Sequence, residues 1–256
     1  MASENKDSLP DALSPEELAF LKTETGIQDT AELETHIVAI QKTACEGRNL
    51  PDPLLLDVGC CFGNDLRRIV HDGFPAKNAI ASDLRRDFWD LGHKLFRSTS
   101  ESFPVTFLAG DAFDANFLAL QSPASEAPDS TTPDLGSLKS LNDLHGRLSA
   151  IHSASLFHLF SEPDQLQLAR KLAGLLAPHP GSIIFGCHGA QPTKGHVLGS
   201  RGRHMFCHSP ESWREMWDAE VFASGSVEVR AVLKNAGKIL NPTTDFHMMF
   251  WSVKRL

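Results

Sequence analysis

From Leu54 onward the chain alternates short apolar runs with helical stretches, and this alternation restricts its architecture more than any other feature. Leu54–Val58, Ala79–Ser82, Val105–Ala109, Leu148–Ser153 and Ser182–Cys187 are bounded runs of four to six residues, the length of buried strands. Helical signals separate them: Asn64–His71, stopped by Gly73 and Pro75; Asp87–Phe96; and a helix capped by Ser161. This last helix places Leu166, Ala169, Leu172 and Leu176 on one face and ends at the Pro178–Gly181 turn. Val227–Leu233 and His247–Val253 follow as two further strands with no helix signal between them. The layout predicts an α/β fold, a doubly wound seven-stranded sheet, mostly parallel with an antiparallel C-terminal edge strand. The Ser/Pro-rich tract Gln121–Asp134, with Pro123, Pro128 and Pro133, reads as a loop and places an insertion at about 121–146.

The first fifty residues are of a different kind. Ser14-Pro15-Glu16-Glu17 has the cap, the first-turn proline and the glutamate of a helix start, flanked by Leu13 and Leu18 as a staple. A second helix starts near Asp29-Thr30-Ala31-Glu32, aligns Leu33, Ile37, Ile40 and Ala44, and is ended by Gly47 and the Pro51/Pro53 pair. Residues 1–50 are therefore expected to form N-terminal helices, either a packing appendage or a lid, ahead of a domain over residues 51–256. Ten acids against four bases give this segment a net charge of −6, so of the −8 carried by all 256 residues only −2 belongs to the rest.

That balance argues against a sequence-independent nucleic-acid binder, which needs a basic face to displace counterions. No apolar run approaches the roughly 18–20 residues that span a bilayer. Five cysteines, an odd count with Cys60 and Cys61 adjacent, and no leader pattern at Met1–Pro10 predict a reducing, cytoplasmic setting. The chain has 16 Phe and 4 Trp but no Tyr, which excludes any mechanism that needs a phenol as acid or base. A short-chain nicotinamide dehydrogenase, with its Tyr–Lys pair, is excluded with it.

The sharpest local signal is Leu54-Leu55-Leu56-Asp57-Val58-Gly59-Cys60-Cys61-Phe62-Gly63, a strand running through a Gly-rich turn into a helix. Such a turn brings backbone N–H groups and a helix N-terminus to a ligand at the carboxyl end of the first strand. The stretch does not fit the Gly-x-Gly-x-x-Gly dinucleotide fingerprint. An acid in the strand followed by Gly-x-x-x-Gly instead resembles motif I of class I S-adenosylmethionine (SAM) methyltransferases, with Cys61 standing where that motif has its middle glycine. Two more acids occupy matching places: Asp83 ends the second strand and Asp111 follows the third, in Gly110-Asp111-Ala112-Phe113. The resemblance implies that Asp83 accepts the ribose hydroxyls and Asp111 the adenine amino group. It also implies that the next N–H meets a ring nitrogen and an apolar residue covers the base.

Three longer stretches narrow the likeness. Asp83-Leu84-Arg85-Arg86-Asp87-Phe88-Trp89-Asp90-Leu91-Gly92, Ile151-His152-Ser153-Ala154-Ser155-Leu156-Phe157-His158-Leu159-Phe160 and His208-Ser209-Pro210-Glu211-Ser212-Trp213 resemble small fungal O-methyltransferases of meroterpenoid (austinol-type) clusters. The Glu32–Ile37 segment extends the match towards the N-terminus. The resemblance implies a Rossmann-like class I domain at 51–256, SAM as cofactor and S-adenosylhomocysteine as product. Its acceptor would be a small molecule, in some relatives a carboxylic acid, and relatives suggest a homodimer. The cofactor contacts it implies are Asp57, Gly59, Cys60, Cys61, Gly63, Asp83, Leu84, Asp111, Ala112 and Phe113.

Beyond the fourth strand the candidates are histidines and arginines. His158, just past that strand, is placed where this fold presents residues to the transferring methyl; it is either a base, with His204 next in line, or a packed core histidine. The segment His188–His208 collects Lys194, His196, Arg201, Arg203 and His204 between glycines, and reads as a basic hinged loop. Arg201, Arg203 and His208 are its candidates for binding an anionic substrate, against the alternative of a solvated loop. Cys187-His188 with Cys207-His208 do not make a zinc site, because adjacent strand residues point to opposite faces and each pair offers one ligand at best. No metal is expected. Trp213 and Trp217 are four apart on a helix and read as packing anchors.

A carboxylate acceptor is already ionised at neutral pH and needs no base, whereas an alcohol or phenol does. The element Asn/Asp-Pro-Pro-aromatic of nucleic-acid methyltransferases is absent, its place reading His152-Ser153-Ala154-Ser155. The chain is thus expected to methylate a small molecule on oxygen, at a carboxylate or hydroxyl, with a SAM-binding regulatory or scaffold protein as the non-enzymatic alternative.

Overall fold

In a computed structural model the described residues are 22, 28–32, 53–126, 128, 133–198, 204–241 and 244–256. The chain divides into two compact units, Met1–Pro51 and Asp52–Leu256. In the first, Asp29 Oδ1 accepts from the Glu32 N–H at 2.8 Å, the N-cap expected of the second helix. Ser14–Glu17, the Leu13/Leu18 staple and the Leu33–Ala44 stripe lie outside the described residues.

The second unit is built on seven strands: β1 (Leu55–Val58), β2 (Ala79–Asp83), β3 (Thr106–Ala109), β4 (Ala150–Ala154), β5 (Ile183–Ala190), β8 (Val227–Asn241) and β9 (Thr244–Arg255), with β6 (Gly195–Leu198) and β7 (His204–Cys207) forming a separate hairpin. Their order is β3-β2-β1-β4-β5-β9-β8. The first five pair in parallel; β9 runs against β5 and β8 against β9, so β9 alone is reversed and β8 is the edge. Strand order reverses between β1 and β4, the switch point at which open α/β sheets bind ligands.

Both faces of the sheet are covered, which explains why the parallel strands read as unbroken apolar runs. Leu54, Leu56 and Val58 enter one core cluster with α3 (Glu162–Leu175); Leu55 enters the other with Leu66 of α1 (Asn64–His71) and Trp89 of α2 (Arg86–Leu95). Trp89 stacks on Phe107 of β3 at 5.1 Å. A last helix, α4 (Pro210–Glu215), is capped by Ser209 and continues as a π-helical turn over Met216–Val221. Trp213 and Trp217 are fully buried there, packing anchors as expected.

Two segments differ from their sequence reading. Among its described residues the His188–His208 stretch carries strands where a loop was expected: His188–Ala190 complete β5, and β6 pairs antiparallel with β7. Its apolar alternation is anchored by Phe206, which packs edge-on against His196 at 5.3 Å. The insertion is tied to the core where it was expected to be loop: Leu135, Leu138, Leu141 and Leu144 are buried at every third position, the repeat of a 3₁₀ turn.

Candidate active site

The turn after β1 is shaped by left-handed backbone at Gly59 (φ 75°), Cys61 (φ 50°) and Gly63 (φ 73°). Gly59 and Cys60 both donate their N–H to Ser82 O, at 2.8 and 3.1 Å, stitching the turn to the end of β2. Cys61 takes a conformation that glycine adopts without cost. Its exposed side chain needs no space inside the turn, and its N–H donates to Asp83 Oδ2 at 2.9 Å. Gly63 lies so close to Trp89 that a Cβ would stand 2.7 Å from the indole. The turn borders a cavity of about 170 Å³ lined by Asp57, Gly59, Cys60, Cys61, Phe62, Asn64, Asp65, Ala154 and Ser155.

Asp83 is held at both oxygens by backbone donors, Oδ2 by Cys61 and Oδ1 by Arg85 N–H at 2.8 Å. Each oxygen retains a lone pair, so the carboxylate is oriented without being consumed. Leu84 beside it is 66% exposed, an apolar side chain left open at the strand end. The next corner repeats the device: Asp111 Oδ1 accepts from Phe113 N–H at 2.8 Å, and the Phe113 ring meets Phe160 at 4.9 Å. Lys171 of α3 donates to Ala112 O at 2.8 Å and lies 5.6 Å from the Phe113 ring centre. Burial lowers the Lys171 pKa, opposed by Asp111 and Asp114. Sequence reading missed Lys171; its one signal is a lysine on the face of α3 that carries Leu168 and Leu172.

Asp57 is buried beneath the turn. Its Oδ1 accepts from His152 Nδ1 at 2.9 Å, across neighbouring parallel strands where the two residues are register partners. Burial raises the Asp57 pKa, and His152 opposes that rise. For His152 burial pulls the other way, yet the hydrogen bond and charge of Asp57 bring its pKa above the ordinary histidine value. The place of His152 beside Asp57 depends on the β1–β4 register.

After β4, Ser155 adopts a left-handed φ of 53° and donates its N–H to Cys187 O at 2.7 Å, which turns the chain into the short Phe157–Leu159 helix. His158 stands in that turn. Its Nδ1 receives the Gly189 N–H at 3.2 Å, and burial lowers its pKa, so the ring is neutral near pH 7 with its proton on Nε2. The remaining candidates are dispersed. His204 is exposed on β7. His208 is buried and bonded through Nδ1 to Ser212 Oγ at 2.9 Å. It borders a separate cavity of about 290 Å³ with the Glu162–Lys194 ion pair, away from the Gly59 turn. Arg201 and Arg203 lie outside the described residues. His188, the first residue of the basic stretch, is buried with its Nδ1 accepting from Trp251 Nε1 at 2.9 Å.

Residues 5–51 match the family described as meroterpenoid methyltransferase N-terminal domain. The chain is 36% identical over 183 residues to O-methyltransferase phiE of Fungal sp. (strain ATCC 74256), covering 68% of this chain and 52% of that protein. It is 32% identical over 174 residues to Asnovolin E/Chermesin D methyltransferase nvfJ of Aspergillus novofumigatus, covering 67% and 54%. This chain is similar to fungal secondary-metabolite methyltransferases. It spans about half the length of the curated relatives it matches. Its fold is that of SAM methyltransferases: it superposes with a TM-score of 0.50 on Burkholderia thailandensis 1,6-didemethyltoxoflavin-N1-methyltransferase, solved with S-adenosylhomocysteine. That likeness covers 96% of this chain and 92% of the other at 12% identity. Among the described residues no helix is long and apolar enough to cross a membrane.

The site's residues fit the cofactor of such enzymes. At Gly59 a Cβ would meet Leu156 at 3.1 Å, so the bare backbone is what leaves the turn open beside the cavity. The oriented Asp83 carboxylate offers acceptors to a diol, and the Asp111–Phe113 corner offers a carboxylate and an aromatic face.

Proposed function

We propose that this chain transfers a methyl group from SAM to an oxygen of a small-molecule acceptor in fungal secondary metabolism. The observation that carries the reading is the row of three acids at adjacent strand ends. Asp57 lies on β1, Asp83 ends the neighbouring β2 and Asp111 follows β3, next in the sheet, and the backbone of the Gly-rich turn after β1 is pinned to Asp83. SAM supplies an electrophilic methyl on a sulfonium. The chain's own work is to bind and align: Asp83 takes the ribose hydroxyls, Asp111 and Phe113 take the base, and the cavity under Gly59 takes the amino-acid end. Transfer of a methyl group is an in-line displacement, so most of the acceleration comes from holding acceptor and donor in register.

His158 supports an acceptor that arrives already ionised. A neutral ring whose Nδ1 lone pair is engaged by Gly189 presents Nε2–H, a donor that orients an acceptor oxygen; taking a proton there would require the tautomer to change and the Gly189 bond to break. A carboxylate needs no base, and this favours it over an alcohol. The first test is calorimetric titration with SAM, followed by S-adenosylhomocysteine formation in a fungal extract. No binding at hundreds of micromolar overturns the reading, while binding without product supports a SAM-binding scaffold instead. The second compares His158→Gln, which keeps a donor near Nε2 but cannot take a proton, with His158→Ala. A donor role predicts His158→Gln within about threefold of the parent rate and His158→Ala lower by about tenfold. A base role would lower both by about 10²–10⁴. Replacing Arg201 or Arg203 by Ala tests the anion clamp; loss of a clamp is expected to raise KM for an acidic acceptor.

A further inference from the structure

One contact in the cleft has no task in the reading above. Asp57 and His152 form a hydrogen-bonded pair with side chains only 4% and 11% exposed, yet Asp57 also lines the cavity under the Gly59 turn. Its Oδ1 is taken by His152, and its Oδ2 has no partner among the described residues. The other ionisable groups facing the pair are Asp65 of α1, Asp83 of β2 and the Cys60 thiol of the turn, acids all; from β5 it meets the uncharged Phe185 ring at 5.1 Å. His152 is therefore the one cationic partner of Asp57 among the described residues.

We propose that His152 sets cofactor affinity by competing, as an imidazolium, with the ammonium at the amino-acid end of the cofactor for the Asp57 carboxylate. Ligand binding then expels a proton from the pair. The inference rests on the SAM-binding reading. The charges fix its sign. With His152 protonated the pair is neutral overall and the ligand's cation gains little; with His152 neutral, Nδ1–H still donates to Oδ1 and the pair carries a full negative charge. The expelled proton leaves Nε2 for the buffer, and no bond to the ligand is made or broken. Reciprocity requires that a cation favouring neutral His152 binds more tightly where His152 is already neutral. Both partners' shifts agree with a pair that holds its proton into the neutral range.

The test is titration calorimetry of the whole chain with S-adenosylhomocysteine from pH 5.5 to 7.5, below the point at which the ligand's own amino group deprotonates, about 7.7–8.0. Each pH is run in two buffers of different ionisation heat. Affinity is expected to tighten about fivefold over this range, the low end of typical site–site coupling, with net proton release to the buffer. His152→Asn keeps a donor near Nδ1 but cannot ionise; its profile should flatten and its proton release vanish. Binding that is flat with pH and proton-neutral in the parent chain overturns this inference alone, whether or not the variant folds. A variant that keeps the parent's slope also overturns it. Absence of binding at every pH overturns the cofactor reading and this inference together.

Discussion

Asp83 spends one lone pair of each carboxylate oxygen on the backbone, at Cys61 and at Arg85, and keeps the rest for a ligand. Hydrogen bonds to charged groups contribute about 1.5–3 kcal/mol. Asp83→Asn retains the shape but not the charge, and should weaken S-adenosylhomocysteine binding by about 10–100-fold in a calorimetric titration. An unchanged affinity would remove Asp83 from the site. The acids at 57, 83 and 111 were legible because each stands at the end of an apolar run. Their partners were not. His152 reaches Asp57 through the β1–β4 register, and Lys171 reaches Ala112 across 59 positions of sequence. Neither relation leaves a local pattern. His158 was legible as a residue near the transfer point, but its tautomer follows from the Gly189 N–H, which sequence does not place.

At the scale of elements, the cleft depends on how closely α2 packs on the turn after β1. A Cβ at Gly92 would stand 2.3 Å from Phe62 O, a backbone atom that cannot swing aside. Gly92→Ala should force α2 outwards and cost about 1–3 kcal/mol, read as a lower urea midpoint, with weaker cofactor binding because Phe62 lines the cavity. An unaltered midpoint would show that the helix can move freely. The strand and helix positions of the sheet were readable because buried parallel strands and one-sided helices leave distinct periods in sequence. The β6–β7 hairpin was not, since its glycines and basic residues matched a loop while its apolar positions were few. The buried leucines of the insertion repeat every three residues, a spacing that falls outside both common templates.

For the molecule as a whole, buried histidines dominate the acid response. His158, His188 and His208 are all shifted down by burial, His208 to about 4. An unfolded chain takes up protons near 6.5 that the folded one refuses, so stability is full above that pH and falls as pH drops towards 4. His208 alone accounts for about 3 kcal/mol of this loss. His152 acts in the opposite sense: its raised pKa adds stability below 6.5 that is lost as pH rises through the folded value. The three outweigh the one, and the urea midpoint should fall between pH 7 and pH 5; a midpoint that rises would contradict the balance. The strand order has a further consequence. β9 is made after β5 and β8 yet lies between them in the sheet. While the chain emerges from the ribosome, the outer edge of β5 stays unpaired for more than fifty residues of translation, and β8 has no sheet to join. Chains not yet through β9 therefore expose the edges most prone to wrong pairing, and synthesis of β9 both seals the sheet and ends that exposure.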